Sequence, residues 1–347
     1  MAKSVKLADI ASKLNISTVT VSKALSGHKG VSEDLRDKII ELADSMGYKQ
    51  PSVLRKERVK RSYNLGVIIG QEYLDKYDSF YWQMYQKLTT EAVARGCFTM
   101  LEVISEEEVA KLQLPKLIQE EKIEGLIVIG RMNQQYLEKL EQQSPVPRVY
   151  LDFNMEKETC DAVISDSFYG ACLLTNYLFD MGHKKIAYVG TILATDSITD
   201  RYFGYCKSMI EHGCIVREDW IIADRDTEHG KIDPTNLLQL PAEMPTAFVC
   251  NCDLTASELI RKLKKNGYQV PQDISVVGYD NYLFPGLCDV EITTYEVDMK
   301  EMGKKAISIL LHKMAGDEYK RGISIVEGNL VYKESVKKLS PVELSEP

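Results

Sequence analysis

The stretch Leu7-Ala-Asp-Ile-Ala-Ser-Lys-Leu-Asn-Ile-Ser-Thr-Val-Thr-Val-Ser-Lys-Ala-Leu25 decides how this chain is read. Leu7, Ile10, Ala11 and Leu14 recur every three or four residues, Asn15-Ile16-Ser17 interrupts them, and Val21, Ala24 and Leu25 resume the period. The pattern predicts two short helices joined by a tight turn. After a loop holding Gly27 and Gly30, a third stripe runs through Val31, Leu35, Ile39, Leu42 and Met46, and Gly47 suits its stop. In a helix-turn-helix unit the second helix enters the major groove and its N-terminal side chains reach base edges. Here Val21 and Leu25 are expected to face the core, and Thr18, Val19, Ser22 and Lys23 to face outward. Thr18 can donate or accept a hydrogen bond, Val19 can meet a thymine methyl, and Lys23 can reach guanine acceptors or phosphate. Ser17 and Thr20 suit phosphate contacts or capping. A purely structural three-helix bundle would show the same apolar periodicity, so charge has to separate the two readings.

The 347 residues carry a net charge of −8, which looks unsuited to nucleic acid until the chain is divided. Residues 1–62 hold 13 Lys+Arg against 7 Asp+Glu, and the remainder holds 30 against 44. A small basic head on a large acidic body suggests a polyanion-binding module attached to something else, and favours DNA for the head. Residues 50–62, Gln-Pro-Ser-Val-Leu-Arg-Lys-Glu-Arg-Val-Lys-Arg-Ser, read by composition alone as a solvated linker. No apolar run reaches the length of a membrane span. The opening residues lack the pattern of a secretory signal, so the eight cysteines are expected to be reduced thiols in a cytoplasmic protein.

From residue 63 the period changes. Short apolar runs (Leu65–Ile69, Phe98–Val103, Gly125–Ile129, Arg148–Leu151, Lys185–Val189, Ala247–Cys250 and Ile274–Val277) alternate with amphipathic segments near 80–95, 107–120, 134–142, 167–181, 200–212, 254–266 and 298–315. This rhythm predicts an α/β body with doubly wound parallel sheets, and the number of strands predicts two lobes. Ligands in such sheets bind beyond the C-terminal strand ends.

Residues 5–48 also resemble the DNA-binding head of the lactose/galactose repressor (LacI/GalR) family. The features are the Leu7-Ala-Asp-Ile-Ala11 opening, Thr20-Val-Ser-Lys23, Val31-Ser32 and Gly47-Tyr48. The resemblance continues through Asp166-Ser-Phe-Tyr-Gly170, Met181-Gly-His-Lys-Lys-Ile186, Arg201-Tyr-Phe-Gly204, Val270-Pro-Gln-Asp-Ile-Ser-Val-Val-Gly-Tyr-Asp280 and Ile292-Thr-Thr294, in family order and spacing. It implies a transcriptional regulator, usually a repressor, that binds a palindromic operator in double-stranded DNA as a homodimer. The body would be periplasmic-binding-protein-like and hold a small-molecule effector, sugar-like in character, between its lobes. The implied domains are a helix-turn-helix head over 1–49, a hinge over 50–62 and an effector-binding and dimerisation body over 63–340. Its N-lobe would take about 63–177 and 297–325, and its C-lobe about 178–296 and 326–340. The tail after Leu339 lacks the leucine-repeat helix of family tetramers.

The resemblance assigns Arg201, Asn251 and Asp280 to the cleft, with Asp166 opening a lobe-crossing helix and Ser79 and Phe80 lining the N-lobe side. The family's usual Asn-Asp pair is here Asn251-Cys252-Asp253, which leaves open whether Asp253 also reaches the ligand. Arg201 and Asp280 could instead form an interlobe ion pair without ligand, and Phe203 is expected in the core. Lys29, Tyr48, Leu54 and Arg55 complete the expected DNA-contacting set. The hinge departs from the family, which has an alanine and then a leucine that wedges between central base pairs. Counted without gaps, Leu54 stands at the alanine position and Glu57 at the leucine position. Either Leu54 or Val53 wedges in another register, or DNA is bent less.

No cofactor or metal is expected, because Cys250 and Cys252 have no second cysteine pair or clustered histidines to complete a zinc set. An enzyme is the main rival, but no phosphate-binding glycine loop or nucleophile elbow follows a strand. A solute-binding protein of a transporter is a second rival, which the basic helical head argues against. A DNA-binding protein without effector is a third, for which so large a two-lobe body would be superfluous.

Overall fold

The computed structural model describes residues 5–25, 30–46, 48, 62–74, 80–155, 160–226 and 232–340. The chain divides into two compact units, Met1–Ser62 and Tyr63–Pro347.

In the first unit α1 spans Leu7–Leu14, α2 Thr18–Leu25 and α3 Glu33–Ser45. The Asp9 carboxylate accepts the Lys6 N–H at 2.7 Å and closes the start of α1. Asn15 ends that helix in the left-handed region, at φ 50°, a conformation asparagine tolerates better than most residues. Ser17 Oγ then accepts the Thr20 N–H at 3.0 Å, so the turn carries its own N-cap for α2. Ile10, Ala11, Val21, Ala24, Ile39 and Ala43 form the buried core, with Leu25 half-buried beside it.

The second unit has two parallel sheets. The N-lobe sheet has the order β11-β5-β4-β3-β1-β2, with β1 Asn64–Gly70, β2 Phe98–Ile104, β3 Gly125–Ile129, β4 Arg148–Leu151, β5 Ala162–Ser165 and β11 Ile323–Val326. The C-lobe sheet has the order β7-β6-β8-β9, with β6 Ile186–Val189, β7 Ile221–Ile222, β8 Ala247–Cys250 and β9 Ser275–Val277. Strands β10, Thr294–Glu296, and β12, Asn329–Val331, pair antiparallel where the chain passes between lobes. Three passages join the lobes: one after β5, one through β10, and one between β11 and β12. The strands with neighbours on both sides are buried on both faces, which is why Leu65–Ile69 and Gly125–Ile129 read as unbroken apolar runs.

The helices of the body are α4 Phe80–Val93, α5 Glu106–Ala110, α6 Lys116–Gln119, α7 Gln134–Gln143, α8 Ser167–Asp180, α9 Asp196–Glu211, α10 Asp253–Lys265 and α11 Met299–Ala315. The single helix expected over 107–120 is two short ones, because Leu112 takes φ 52° and Pro115 starts the second. Helix α9 begins earlier than expected, at the Thr195 cap. It buries Arg201, Gly204, Tyr205 and Ser208, one face at helical spacing, so Phe203 points away and is 53% exposed rather than in the core. No helix among the described residues is long and apolar enough to cross a membrane.

Candidate functional site

On the head, Ser17, Thr18, Val19, Ser22 and Lys23 are exposed and Thr20 is half-buried. Val19 is 60% exposed on the outer face of α2. Ser17 and Thr20 are joined at 2.9 Å between their hydroxyls, and Ser17 also caps α2. Tyr48 is half-buried beside the head core, and its N–H donates to Ala43 O at 2.8 Å. Lys29, Leu54, Arg55 and Ser79 lie outside the described residues.

In the body the polar groups gather at the C-terminal ends of β4, β8 and β9. Arg201, on the buried face of α9, is 6% exposed. Its Nη1 donates to Asn251 O at 2.6 Å, its Nη2 lies 3.6 Å from Asp280 Oδ1, and its guanidinium stacks 3.7 Å from the Tyr279 ring centre. Its Nε is buried with no hydrogen-bond partner. Burial works against its charge, but Asp280, Tyr279 and Asp152 outweigh that and hold its pKa above the ordinary value. The Arg201–Asp280 pair is therefore real, but both partners stand in the C-lobe, so it does not tie the lobes together.

Asp280 and Asp152 are the two carboxylates nearest this guanidinium. Burial pushes Asp280 up to about 7, against the pull of Arg201 and with added repulsion from Asp152. Burial likewise pushes Asp152 up to about 6, opposed by Arg201 and by the hydrogen bond from Tyr81. That bond runs from the Tyr81 hydroxyl to Asp152 Oδ2 at 2.9 Å. Both aspartates take positive φ, 71° for Asp152 and 104° for Asp280, conformations that ordinary residues adopt at a cost and that cluster at functional sites.

Asn251 is 1% exposed and its amide is already occupied. It donates to Val189 O at 3.0 Å and Asp224 Oδ2 at 2.7 Å, and accepts from Arg225 Nη2 at 3.0 Å. Asp224, which is fully buried, pairs with Arg225 at 2.8 Å. Burial opposes the Asp224 charge, but Arg225, Thr255 and Asn251 outweigh it and hold the carboxyl below its usual range. This network braces the carbonyl that holds Arg201. Asp253 is also buried, and its Oδ2 accepts the Tyr282 N–H at 3.0 Å. Asp166 caps α8 by accepting the Tyr169 N–H at 3.0 Å. Cys252 caps α10, with Sγ accepting the Thr255 N–H at 3.4 Å. Among the described residues no group of three or more metal-ligating side chains comes together.

The lobes meet across this constellation. Arg131, after β3, places Nη1 at 2.8 Å from both Asp196 carboxylate oxygens at the start of α9. Phe80 of the N-lobe stands edge-on to Tyr282 of the C-lobe, with ring centres 6.4 Å apart. Behind them a cavity of about 20 Å³ is lined by Tyr73, Tyr81, Asp152, Phe153 and Ser197 as well as the Arg131–Asp196 pair. That is room for about one water. A larger hollow of about 230 Å³ lies under the 281–291 loop of the C-lobe, but neither Arg201 nor Asp152 lines it.

Residues 6–51 match the family described as bacterial regulatory proteins, lacI family, and residues 175–336 match the periplasmic binding protein-like domain. The chain thus carries a LacI-family helix-turn-helix domain and a periplasmic-binding-protein-like domain. The chain is 25% identical over 333 residues to the HTH-type transcriptional repressor PurR of Vibrio campbellii, covering 96% of the chain and 98% of the relative. It is 28% identical over 311 residues to the PurR of Glaesserella parasuis, covering 88% and 89%. Among solved structures its fold is similar to the transcriptional regulator CelR in complex with cellobiose, at TM-score 0.67 and 19% identity over 95% of this chain and 99% of that one. It is also similar to the lac repressor dimer bound to operator and an anti-inducer, at TM-score 0.64 and 21% identity over 96% and 100%. The regulator is thus a DNA-binding protein with an effector-binding body and not an enzyme.

Sequence reading missed Asp152, Tyr81, Arg131, Asp196 and the Asp224–Arg225 pair of the cleft. Asp152 had a signal: it follows the predicted strand Arg148–Leu151 directly, as Asp280 follows its own strand.

Proposed function

We propose that the chain is a homodimeric repressor that reads a palindromic operator through α2 and releases or holds it according to a sugar-like effector bound between the lobes. The head contacts bases through Thr18, Val19, Ser22 and Lys23, with Ser17, Thr20, Lys29, Tyr48, Leu54 and Arg55 toward the phosphates and the minor groove. A palindrome needs two heads related by a two-fold axis, hence the dimer. In the cleft, Arg201 and Asp280 bind the effector, Phe80 and Ser79 supply the N-lobe wall, and Asn251 and Asp166 hold the scaffold in place.

The observation that carries the effector reading is the gathering of Arg201 of α9 with Asp280 and Asp152, which follow strands of the two lobes. Carboxylate and guanidinium groups at one point match the donors and acceptors of adjacent hydroxyls. The cellobiose-bound relative in fold is consistent with it. The test is fluorescence anisotropy of operator DNA with full-length protein, titrated with a panel of sugars and, in parallel, purine bases. A sugar that changes operator affinity supports the reading. A response to a purine base alone replaces the ligand class, and a response to nothing in either panel removes the effector reading. Sedimentation of the free protein as a dimer supports the assembly, and a stable tetramer contradicts it.

A further inference from the structure

Among the described residues, the Asp152 carboxylate at the cleft is left without an ion pair. Asp196 is paired with Arg131, Asp224 with Arg225, and Asp280 with Arg201. Asp152 has no cation within ion-pair distance among the described residues, and Arg201 reaches it only at longer range. The sole hydrogen bond to its carboxylate among those residues is the one from Tyr81 to Oδ2, and the carboxylate borders the small cavity.

The walls of that cavity are aromatic. Tyr73 and Tyr81 stand with ring centres 4.7 Å apart, and Phe153 closes another side. Tyr73 is fixed there by donating its hydroxyl hydrogen bond to Arg131 O. A desolvated carboxylate beside aromatic rings is the chemistry that recognises a protonated amine, through a charge-assisted hydrogen bond and the negative faces of the rings. The cavity of about 20 Å³ is the size of one such group. A neutral hydroxyl in the same place would leave the Asp152 charge buried as the lobes shut, whereas an ammonium group cancels it.

We propose that the effector is an amino sugar whose ammonium group sits against Asp152 between Tyr73, Tyr81 and Phe153, while its hydroxyls meet Arg201 and Asp280. The proposal rests on the sugar-like reading above and narrows it. Phosphorylated sugars are disfavoured because, among the described residues, the three guanidinium groups of the cleft are each engaged by a carboxylate.

The test is calorimetric titration of the full-length protein at neutral pH with a panel of hexosamines, each beside its neutral parent hexose. The expected result is a hexosamine that binds at least about tenfold more tightly than its parent, a preference that disappears in Asp152→Asn. A parent hexose that binds as tightly as its amine overturns the amine assignment and leaves the sugar reading standing. A preference for the amine that persists in Asp152→Asn overturns the placement at Asp152. Failure of every sugar and amino sugar to bind overturns both the proposal and the reading it rests on. The wild-type comparison needs no variant, so the proposal stays testable even if Asp152→Asn folds poorly.

Discussion

Arg201 Nη2 and Asp280 Oδ1 lie 3.6 Å apart in a nearly dry site, and the same guanidinium donates to Asn251 O at 2.6 Å. One arginine therefore links a helix to two strand ends of the C-lobe, with its Nε left buried and unpartnered. A buried donor without a partner is costly, and a ligand hydroxyl could relieve it.

Arg201→Ala is expected to abolish the effector response while the head still binds operator. The substitution also leaves Asp280 buried beside Asp152 without its cation, which should lower the stability of the body by about 3 kcal/mol. Operator anisotropy with and without effector, together with a denaturant melt, reads both effects. A variant that still responds at the wild-type effector concentration removes Arg201 from the site.

Stability should depend on pH through the same carboxylates. Asp280 near 7 and Asp152 near 6 bind protons more tightly folded than unfolded, where a carboxyl titrates near 4. Between those values the folded state holds more protons, so this contribution is full at low pH and is lost as pH rises from about 4 to about 7. Asp224, held below its usual range by Arg225, acts oppositely and loses its contribution only as pH falls below about 4. Asp280→Asn should therefore flatten the fall in stability between about pH 5 and 7, by on the order of 2 kcal/mol. Urea unfolding across that range checks it, and an unchanged slope in the variant would show that Asp280 titrates normally.

Gly204→Ala tests how closely α8 and α9 pack. A Cβ at Gly204 would stand 2.2 Å from the Phe168 carbonyl oxygen, which is backbone and cannot swing aside. The helices must separate, and the expected loss is about 1–3 kcal/mol. Thermal melting of the variant measures it. A wild-type melting temperature would mean that the two helices yield without loss.

The head was legible because its three-residue to four-residue period and its exposed polar face are local properties. Thr18, Val19, Ser22 and Lys23 stand where the period of Val21 and Ala24 puts them. The strands from Leu65 to Val277 were legible for a similar reason, since burial on both faces leaves unbroken apolar runs. Strands β10 and β12 were not, because three-residue strands owe their existence to the chain crossing between lobes and not to their own sequence. The cleft was half legible. Arg201 and Asp280 came from their resemblance to family positions, whereas Asp224 and Arg225 follow a two-residue strand with no periodic signal. Their role is set by Asn251, 26 residues or more along the chain, and only folding brings the three together.

Two head variants should separate base reading from phosphate contact. Val19→Ala removes exposed apolar surface that fits a thymine methyl, so its loss should depend on operator sequence and reach about 1–3 kcal/mol at one base position. Lys23→Ala should reduce affinity and, if it neutralises a phosphate, lower the salt slope by about one across all sequences. Binding to an operator set at two salt concentrations distinguishes them. A Val19→Ala loss that is uniform across operators would place that side chain outside base readout.

The hinge gives the last prediction. Apolar wedges cost a few kcal/mol of base unstacking but permit a bend that brings more protein onto the DNA. Glu57, outside the described residues and at the position where the family resemblance expects a leucine, is expected to forfeit that contact and repel phosphate. Glu57→Leu should therefore tighten operator binding, and the gain should change little with salt because most of it is apolar. If Leu54 already wedges in a shifted register, Leu54→Ala should lose more affinity than Glu57→Leu gains. Operator affinities of both variants at two salt concentrations decide between them. An unchanged or weaker Glu57→Leu beside a crippled Leu54→Ala would establish the shifted register, because only a wedge already in place leaves nothing for a second leucine to add.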